Sequence, residues 1–187
     1  MPIAINGSGT VTGISVGGLP DGIVDTDMIA AAAVTAPKRG AGAILQVVQN
    51  SFSTQTSLNS TSYIDTGLTA TITPSATSSK VLILGYMKVS SSLFASPYKV
   101  YGYGFNIVRG STEIKSGSGL QHYQAIDVSN VNYTVFNRPH NFSFLDSPNT
   151  TSSTTYKIQA KEEDIDASLQ INQSSQTSEM ILIEVAA

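Results

Sequence analysis

From about residue 43 to the end, apolar stretches recur at short intervals, and none runs long with a 3.6-residue period. Turn residues separate them, so the chain is committed to β-structure. Ile44-Leu45-Gln46-Val47-Val48 is a β-branched apolar run, and Ser51 to Ser57 alternates weakly. Tyr63 to Thr73 alternates clearly, with Ile64, Thr66, Leu68, Ala70 and Ile72 on one face. Pro74 to Ser79 reads as a turn. Val81-Leu82-Ile83-Leu84 is continuously apolar, the pattern of a strand covered on both faces. Tyr98 to Val108, Asn130 to Leu145, Thr154 to Gln159, Ser168 to Asn172 and Met180 to Val185 complete the set. This spacing predicts an all-β fold, an antiparallel β-sandwich of jelly-roll type. The first and last runs are both strongly apolar, which suits two neighbouring central strands.

Composition agrees. Charged residues make up only 12% of the 187, about half the usual share, while Ser and Thr together supply roughly a quarter, well above average usage. Low charge with abundant hydroxyls fits strands with uncharged polar faces better than helices.

Residues 1–42 differ. Six glycines fall between Gly7 and Gly22, among small apolar residues that alternate loosely. Such strands have little side chain to bury and lose much backbone entropy on ordering. This segment is expected to be an extended arm that orders only against a partner, through Ile5, Val11, Ile14, Val16, Leu19 and Ile23. Asp25 or Thr26 can cap a short helix over the alanine run that follows, and Ala36 to Gly42 reads as a linker. The expected domains are therefore the arm, 1–42, and the sandwich, 43–187.

Several chemistries find no support. With no cysteine, disulfide frameworks and thiol catalysis are excluded. Net charge is −3 and the ten basic residues are scattered, which argues against nucleic-acid binding. No run of about 18 apolar residues is present to span a membrane, and Met1 to Thr10 carries no secretory signal pattern. Gly7-x-Gly9 and Gly102-x-Gly104 lack the rest of a phosphate-cradling motif. His122 could be combined with Asp127 and many serines, but no nucleophile elbow supports a triad. We expect no enzyme activity and no cofactor. The acidic cluster Glu162-Glu163-Asp164-Ile165-Asp166 offers oxygen ligands for a hard cation, without the spacing or glycine of a calcium loop. A solvated loop or strand edge is the plainer reading.

The tyrosines Tyr98, Tyr101 and Tyr103, with His122 and Tyr123 nearby, form the main candidate contact group, because tyrosine supplies rigid amphipathic area at interfaces. They read either as core or subunit-interface residues or as part of an exposed surface for carbohydrate or protein.

Both ends of the chain resemble virion structural proteins of tailed bacteriophages, those of cyanophages especially. The resemblance lies in Ile5 to Val24, in Tyr63 to Pro74, in Ser78-Ser79-Lys80-Val81-Leu82-Ile83, in Asp146-Ser147-Pro148, in Thr155-Tyr156-Lys157 and in Met180 to Val185. Residues 90–130 match nothing in that group. The resemblance implies a tail-fibre or adhesin-like homotrimer, docked to other virion proteins through its arm and binding a host-surface glycan or protein. A capsid decoration protein that clamps the head is the alternative. Either would be found in the virion.

Overall fold

The computed structural model describes residues 4–5, 11–12, 39–94, 99–116, 121–126, 133–163 and 167–187. The chain falls into two compact units, Met1–Arg39 and Gly40–Ala187. In the first, β1 (Ala4–Ile5) pairs antiparallel with β2 (Val11–Thr12). Of the arm residues proposed to dock, Ile5 and Val11 are register partners in this pair. Ile14, Val16, Leu19 and Ile23, and the short helix expected near the alanine run, lie outside the described residues.

The second unit carries β3 (Ile44–Phe52), β4 (Thr56–Leu58), β5 (Ile64–Ile72), β6 (Lys80–Phe94), β7 (Lys99–Arg109) and β8 (Thr112–Lys115). It continues with β9 (Gln121–Ile126), β10 (Tyr133–Asp146), β11 (Thr154–Glu162), β12 (Ala167–Ile171) and β13 (Ser178–Val185). Every pairing is antiparallel. β13 and β12 lie end to end along one edge of the long strand β6, and β3 and β4 lie end to end outside them. β10 takes the other edge of β6. The first sheet is thus four strands wide: β3/β4, β13/β12, β6, β10. The second is built the same way as β5, β11, β7 and then β8/β9 end to end along β7. With β3/β4, β8/β9 and β12/β13 each taken as one interrupted strand, the chain crosses between the sheets at every connection except the one from β7 to β8. That is the jelly-roll topology.

One apolar core joins the sheets. The first sheet contributes Leu58, Val81, Ile83, Met87, Leu169, Met180 and Leu182, and the second Leu68, Ile72, Phe105, Ile107, Tyr156 and Ile158, all buried. The cause is period-two alternation, which sends every second side chain inward. In β5 the inward set is Thr66, Leu68, Ala70 and Ile72; Ile64, at the start of the strand, is 36% exposed. β3 and β13 are neighbours, as the two apolar runs suggest, but only β13 is central. The free edge of β3 is tied across to the second sheet. Gln46 Nε2 donates to the Thr73 carbonyl at 2.7 Å, and Asn50 Nδ2 to the Thr69 carbonyl at 2.6 Å. Side chains thereby cover an edge that would otherwise invite pairing. The other edge strand, β10, carries Pro139, which cannot donate to a ladder.

Two glycines are required by packing. Gly67 has φ +96°, with the Phe52 ring lying where a side chain would start. At Gly85 a Cβ would collide with the Glu179 carbonyl and the Phe142 ring. Gly85→Val should therefore lower stability by about 1–3 kcal/mol, the usual range for overpacking, read as a shift in the denaturant midpoint.

The break between β12 and β13 is closed by one side chain. Asn172 sits at φ 55°, a left-handed conformation asparagine tolerates. Its amide donates to the Phe52 carbonyl at 2.7 Å and its oxygen accepts from Ser178 Oγ at 2.6 Å, while Ser178 Oγ accepts from the Lys88 N–H at 2.9 Å. One buried residue therefore bridges β3, β6 and the two halves of the interrupted strand.

Candidate functional surfaces

Strand polarity gives the sandwich two different poles. β3 begins, β6 begins, β10 ends and β13 ends at the same pole. There the Gly42 N–H donates to the Ala186 carbonyl at 2.8 Å and the Ala186 N–H to the Ala43 carbonyl at 2.9 Å. Residue 40, where the first unit joins, therefore lies at this proximal pole with residues 73–79, 110–111 and 147–153. At the opposite, distal pole β6 ends at Phe94 and β10 starts at Tyr133, and residues 59–63 lead from β4 into β5.

Two buried acids brace the proximal pole. Asp146 ends β10 and accepts from Arg109 Nη1 at 2.9 and 2.8 Å and from Tyr156 Oη at 2.7 Å. Burial, then the hydrogen bond to Asp146, pushes the Tyr156 phenol far above an ordinary tyrosine, so it stays a donor. Glu184, on the inner face of β13, accepts from Gln46 Nε2 at 2.6 Å and from the N–H and hydroxyl of Ser75, each at 2.7 Å. Burial pushes its carboxyl up, but hydrogen bonds from Ser79, Ser75 and Gln46 outweigh that and hold it below the ordinary 4.5. A depressed folded-state value adds stability above the unfolded value, which is lost as pH falls through the folded one. Thermal stability should therefore decline below about pH 4.5, and Glu184→Gln should flatten that decline in melting curves recorded from pH 7 to pH 3.

The proposed contact residues cluster toward the distal end. Tyr103 and Tyr101 belong to β7; His122 and Tyr123 lie beside them in β9, where Tyr103 pairs with His122, Gly102 with Tyr123 and Tyr101 with Gln124. Tyr98 lies outside the described residues. Tyr103 is a core residue, 4% exposed, with its ring edge-on to Phe105 at 5.3 Å and to His140 at 5.9 Å. The two described acids of the cluster point apart in their contacts. Glu162 points inward and accepts from the Leu169 N–H, while Glu163 pairs with Lys161 at 2.9 Å. Asp164 and Asp166 lie outside the described residues, and no group of three potential metal ligands occurs among the described ones.

The outer faces of the two sheets differ. On the second sheet the outer face of β5 and β11 is polar. Thr71 and Thr155 share a hydrogen bond at 2.8 Å, Asp65 accepts from Lys157 at 2.9 Å and Gln159 at 2.7 Å, and Lys161 lies 5.3 Å over the Tyr63 ring. Hydrogen bonds from Lys157 and Gln159 hold the Asp65 carboxyl below its ordinary value. On the first sheet the outer face carries an aliphatic band near the proximal pole, bordered by Lys80 on one side and by Gln49, Ser143 and Glu179 on the other. The register sets Val47, Ile183, Leu82 and Leu145 in one row across all four strands. Val47 is 57% exposed and Leu145 49%. Ile44 and Val185 pair on one side of that row, with Ile44 59% exposed, and Ile181 and Leu84 pair on the other. The continuously apolar run Val81–Leu84 thus has one half in the core and the other, Leu82 and Leu84, only partly covered. The expectation that both faces are covered is not met within one chain.

No helix among the described residues is long and apolar enough to cross a membrane. No family model matches the chain, and no curated protein matches it. Among solved structures it is similar to dimeric latent PorU from Porphyromonas gingivalis, with 11% identity and TM-score 0.34 over 79% of this chain and 14% of that one. It is also similar to the structure of infectious bursal disease virus Gx strain, with 13% identity and TM-score 0.26 over 77% of this chain and 39% of that one. A third likeness is to the VP2 subviral particle of infectious bursal disease virus, with 12% identity and TM-score 0.23 over 76% and 37%. The chain spans well under two thirds of each of these, two of which come from virus particles, and at these TM-scores the likenesses carry no argument about function.

Proposed function

We propose that this chain is a structural component of a bacteriophage virion, a homotrimeric tail-fibre or adhesin-like protein. Residues 1–39 dock it to other virion proteins. The distal pole of the sandwich faces a host-surface glycan or protein. The chain works by binding and carries out no catalysis.

The observation that carries this reading is the separation of the poles. The sandwich begins at Gly40, at the pole where β3 and β6 start and β10 and β13 end, while β6 ends and β10 starts at the opposite pole. Connections carry recognition while a rigid scaffold holds them, and many copies on one particle turn weak single contacts into firm attachment. The resemblance of Ile5 to Val24 and of Met180 to Val185 to phage virion proteins agrees with this layout.

Copy number in purified particles tests it. Quantitative mass spectrometry should find this chain at about a tenth of the major capsid protein or less. A ratio near unity would make it a capsid decoration protein with the arm as clamp, and absence from particles would overturn the virion reading. Deleting residues 1–39 should leave a folded sandwich that no longer joins the particle, checked by circular dichroism of the product and by its recovery with particles.

A further inference from the structure

We infer that the outer face of the second sheet, at the distal ends of β5, β11 and β7, holds a seat for a neutral sugar, with Tyr63 as its platform. The claim rests on the proposed function, in which the distal pole meets the host surface, and it names the class of ligand taken there.

The run Tyr101-Gly102-Tyr103-Gly104-Phe105 puts two glycines on the same side of one strand. Tyr103 and Phe105 are inward and buried, so Gly102 and Gly104 lie on the outer side of β7. Gly104 does not have a positive φ, so no backbone conformation demands a glycine there. A glycine inside a strand then marks a place where something comes close to the backbone. What comes close is polar. A Cβ at Gly104 would stand 3.0 Å from Tyr63 Oη, 3.3 Å from Lys161 Cε and 3.4 Å from Glu163 Oε1. A phenol, a lysine and a carboxylate thus converge over one bare position. Lys161 is held by Glu163 at 2.9 Å, with its ammonium 5.3 Å from the centre of the half-buried Tyr63 ring. The lysine takes one face of that ring, and a ligand stacks on the other.

The next outward position along β7 is Asn106, level with Gln159 of β11. Asn106 is 2% exposed, and its Nδ2 donates to Glu113 Oε2 at 2.9 Å. A carboxylate only accepts, so this bond fixes the amide and turns Oδ1 away from β8, to the side of β11. Oδ1 is buried and has no partner among the described residues. A buried carbonyl oxygen of this kind calls for a donor, and a ligand hydroxyl supplies one.

Charge decides which ligand. The outer side of β5 and β11 has two ammonium groups, and each is already neutralised, Lys157 by Asp65 and Lys161 by Glu163, both at 2.9 Å. Glu113 adds a further carboxylate. A phosphate or an acidic sugar therefore finds no spare cation. What the site offers is a ring face, a phenol, the amides of Gln159 and Asn106, and carboxylates that accept. That set matches the C–H face and the hydroxyls of a neutral pyranose. The patch measures about 10 Å across three strands and about 7 Å along them, which is room for one or two such rings.

The test is saturation-transfer NMR of the full chain with the methyl glycosides of glucose, galactose, mannose, rhamnose and N-acetylglucosamine, and with methyl glucuronide as an anionic counterpart. Each is used at about 5 mM, because a site with few contacts binds in the millimolar range. At least one neutral glycoside should receive transfer, and the glucuronide should bind no better than the glucoside. Tyr63→Ala should weaken binding about 10-fold or more, and Tyr63→Phe, which keeps the ring, should weaken it less. Gly104→Ala should also weaken it, because the added methyl meets the phenol and the lysine. Those are ends of flexible side chains, so the fold should survive, as circular dichroism melts will verify. Thr71→Ala, at the proximal end of the same face, should change nothing. Transfer to none of the neutral glycosides would overturn the inference, as would a preference for the glucuronide. Transfer that persists in Tyr63→Ala would overturn this seat and leave glycan attachment to another surface. The virion reading stands or falls separately, on copy number.

Discussion

Ile83→Asp is expected to abolish cooperative folding. Ile83 is fully buried in β6, with Leu182 of β13 on one side and Phe144 of β10 on the other. The substitution removes about 1.5–3 kcal/mol of apolar burial. It also places a carboxylate where no described basic group stands, at a further cost of several kcal/mol. A domain of this size has about 5–15 kcal/mol in total. The expected product is insoluble, or soluble without a thermal transition by circular dichroism. A soluble variant that melts cooperatively would remove Ile83 from the core. Leu82→Asp, one residue earlier on the outer face, should stay folded, so the pair tests the inward and outward assignment of this strand directly.

Asp146→Ala should give the second largest loss, about 3 kcal/mol, the lower end for breaking a buried charged pair. Arg109, 28% exposed at its side chain, can turn to solvent. The Tyr156 hydroxyl, fully buried, cannot, and is left without its acceptor. Tyr156→Phe alone should cost about 1 kcal/mol, the value of one hydrogen bond. The double variant should then lose less than the sum of the two, because the orphaned hydroxyl has been removed as well. Denaturant titrations of the three proteins measure the coupling, and strictly additive losses would show that the contact between Asp146 and Tyr156 contributes little.

The fold was legible where side chains alternate in size and polarity. Thr66, Leu68, Ala70 and Ile72 announce an inward face by period alone, and all four are buried. Strands with little apolar content were illegible. Thr112–Lys115 and Gln121–Ile126, which form an edge as β8 and β9, are short and show no clean apolar alternation that would mark them as strands. The continuation of β6 through Ser90 and Ser91 was equally hidden; both serines are buried, and Ser90 is held by a hydrogen bond to Gln173. Hydroxyls satisfied by partners distant in sequence leave no periodic trace. The proximal bracing acids escaped for the same reason, since Glu184 reaches Ser75 across 109 residues of chain. Of the candidate contact residues, period two places Tyr101 and Tyr103 on one strand, but burial is a property of the opposing sheet. The Phe105 and His140 rings around Tyr103 come from β7 and β10. The outer aliphatic row was half written in the sequence: Val81–Leu84 signals two covered faces, and only the register shows that Val47, Ile183 and Leu145 complete the second.

The interrupted strands have a consequence for how the molecule comes apart. β6 runs the length of the first sheet, but its neighbour is split into β13 beside Lys80–Tyr86 and β12 beside Val89–Leu93, and β3 and β4 are split at the same level. The ladder beside β6 is therefore interrupted crosswise at Asn172, while β6 and β10 run on through that level. Cooperative units in proteins follow such discontinuities. Under native conditions the amides of β4 and β12 should exchange with solvent deuterium in a common opening of lower free energy than those of β13 and the first half of β6. A distal end that opens by itself can carry large sequence change without endangering the end that holds the arm.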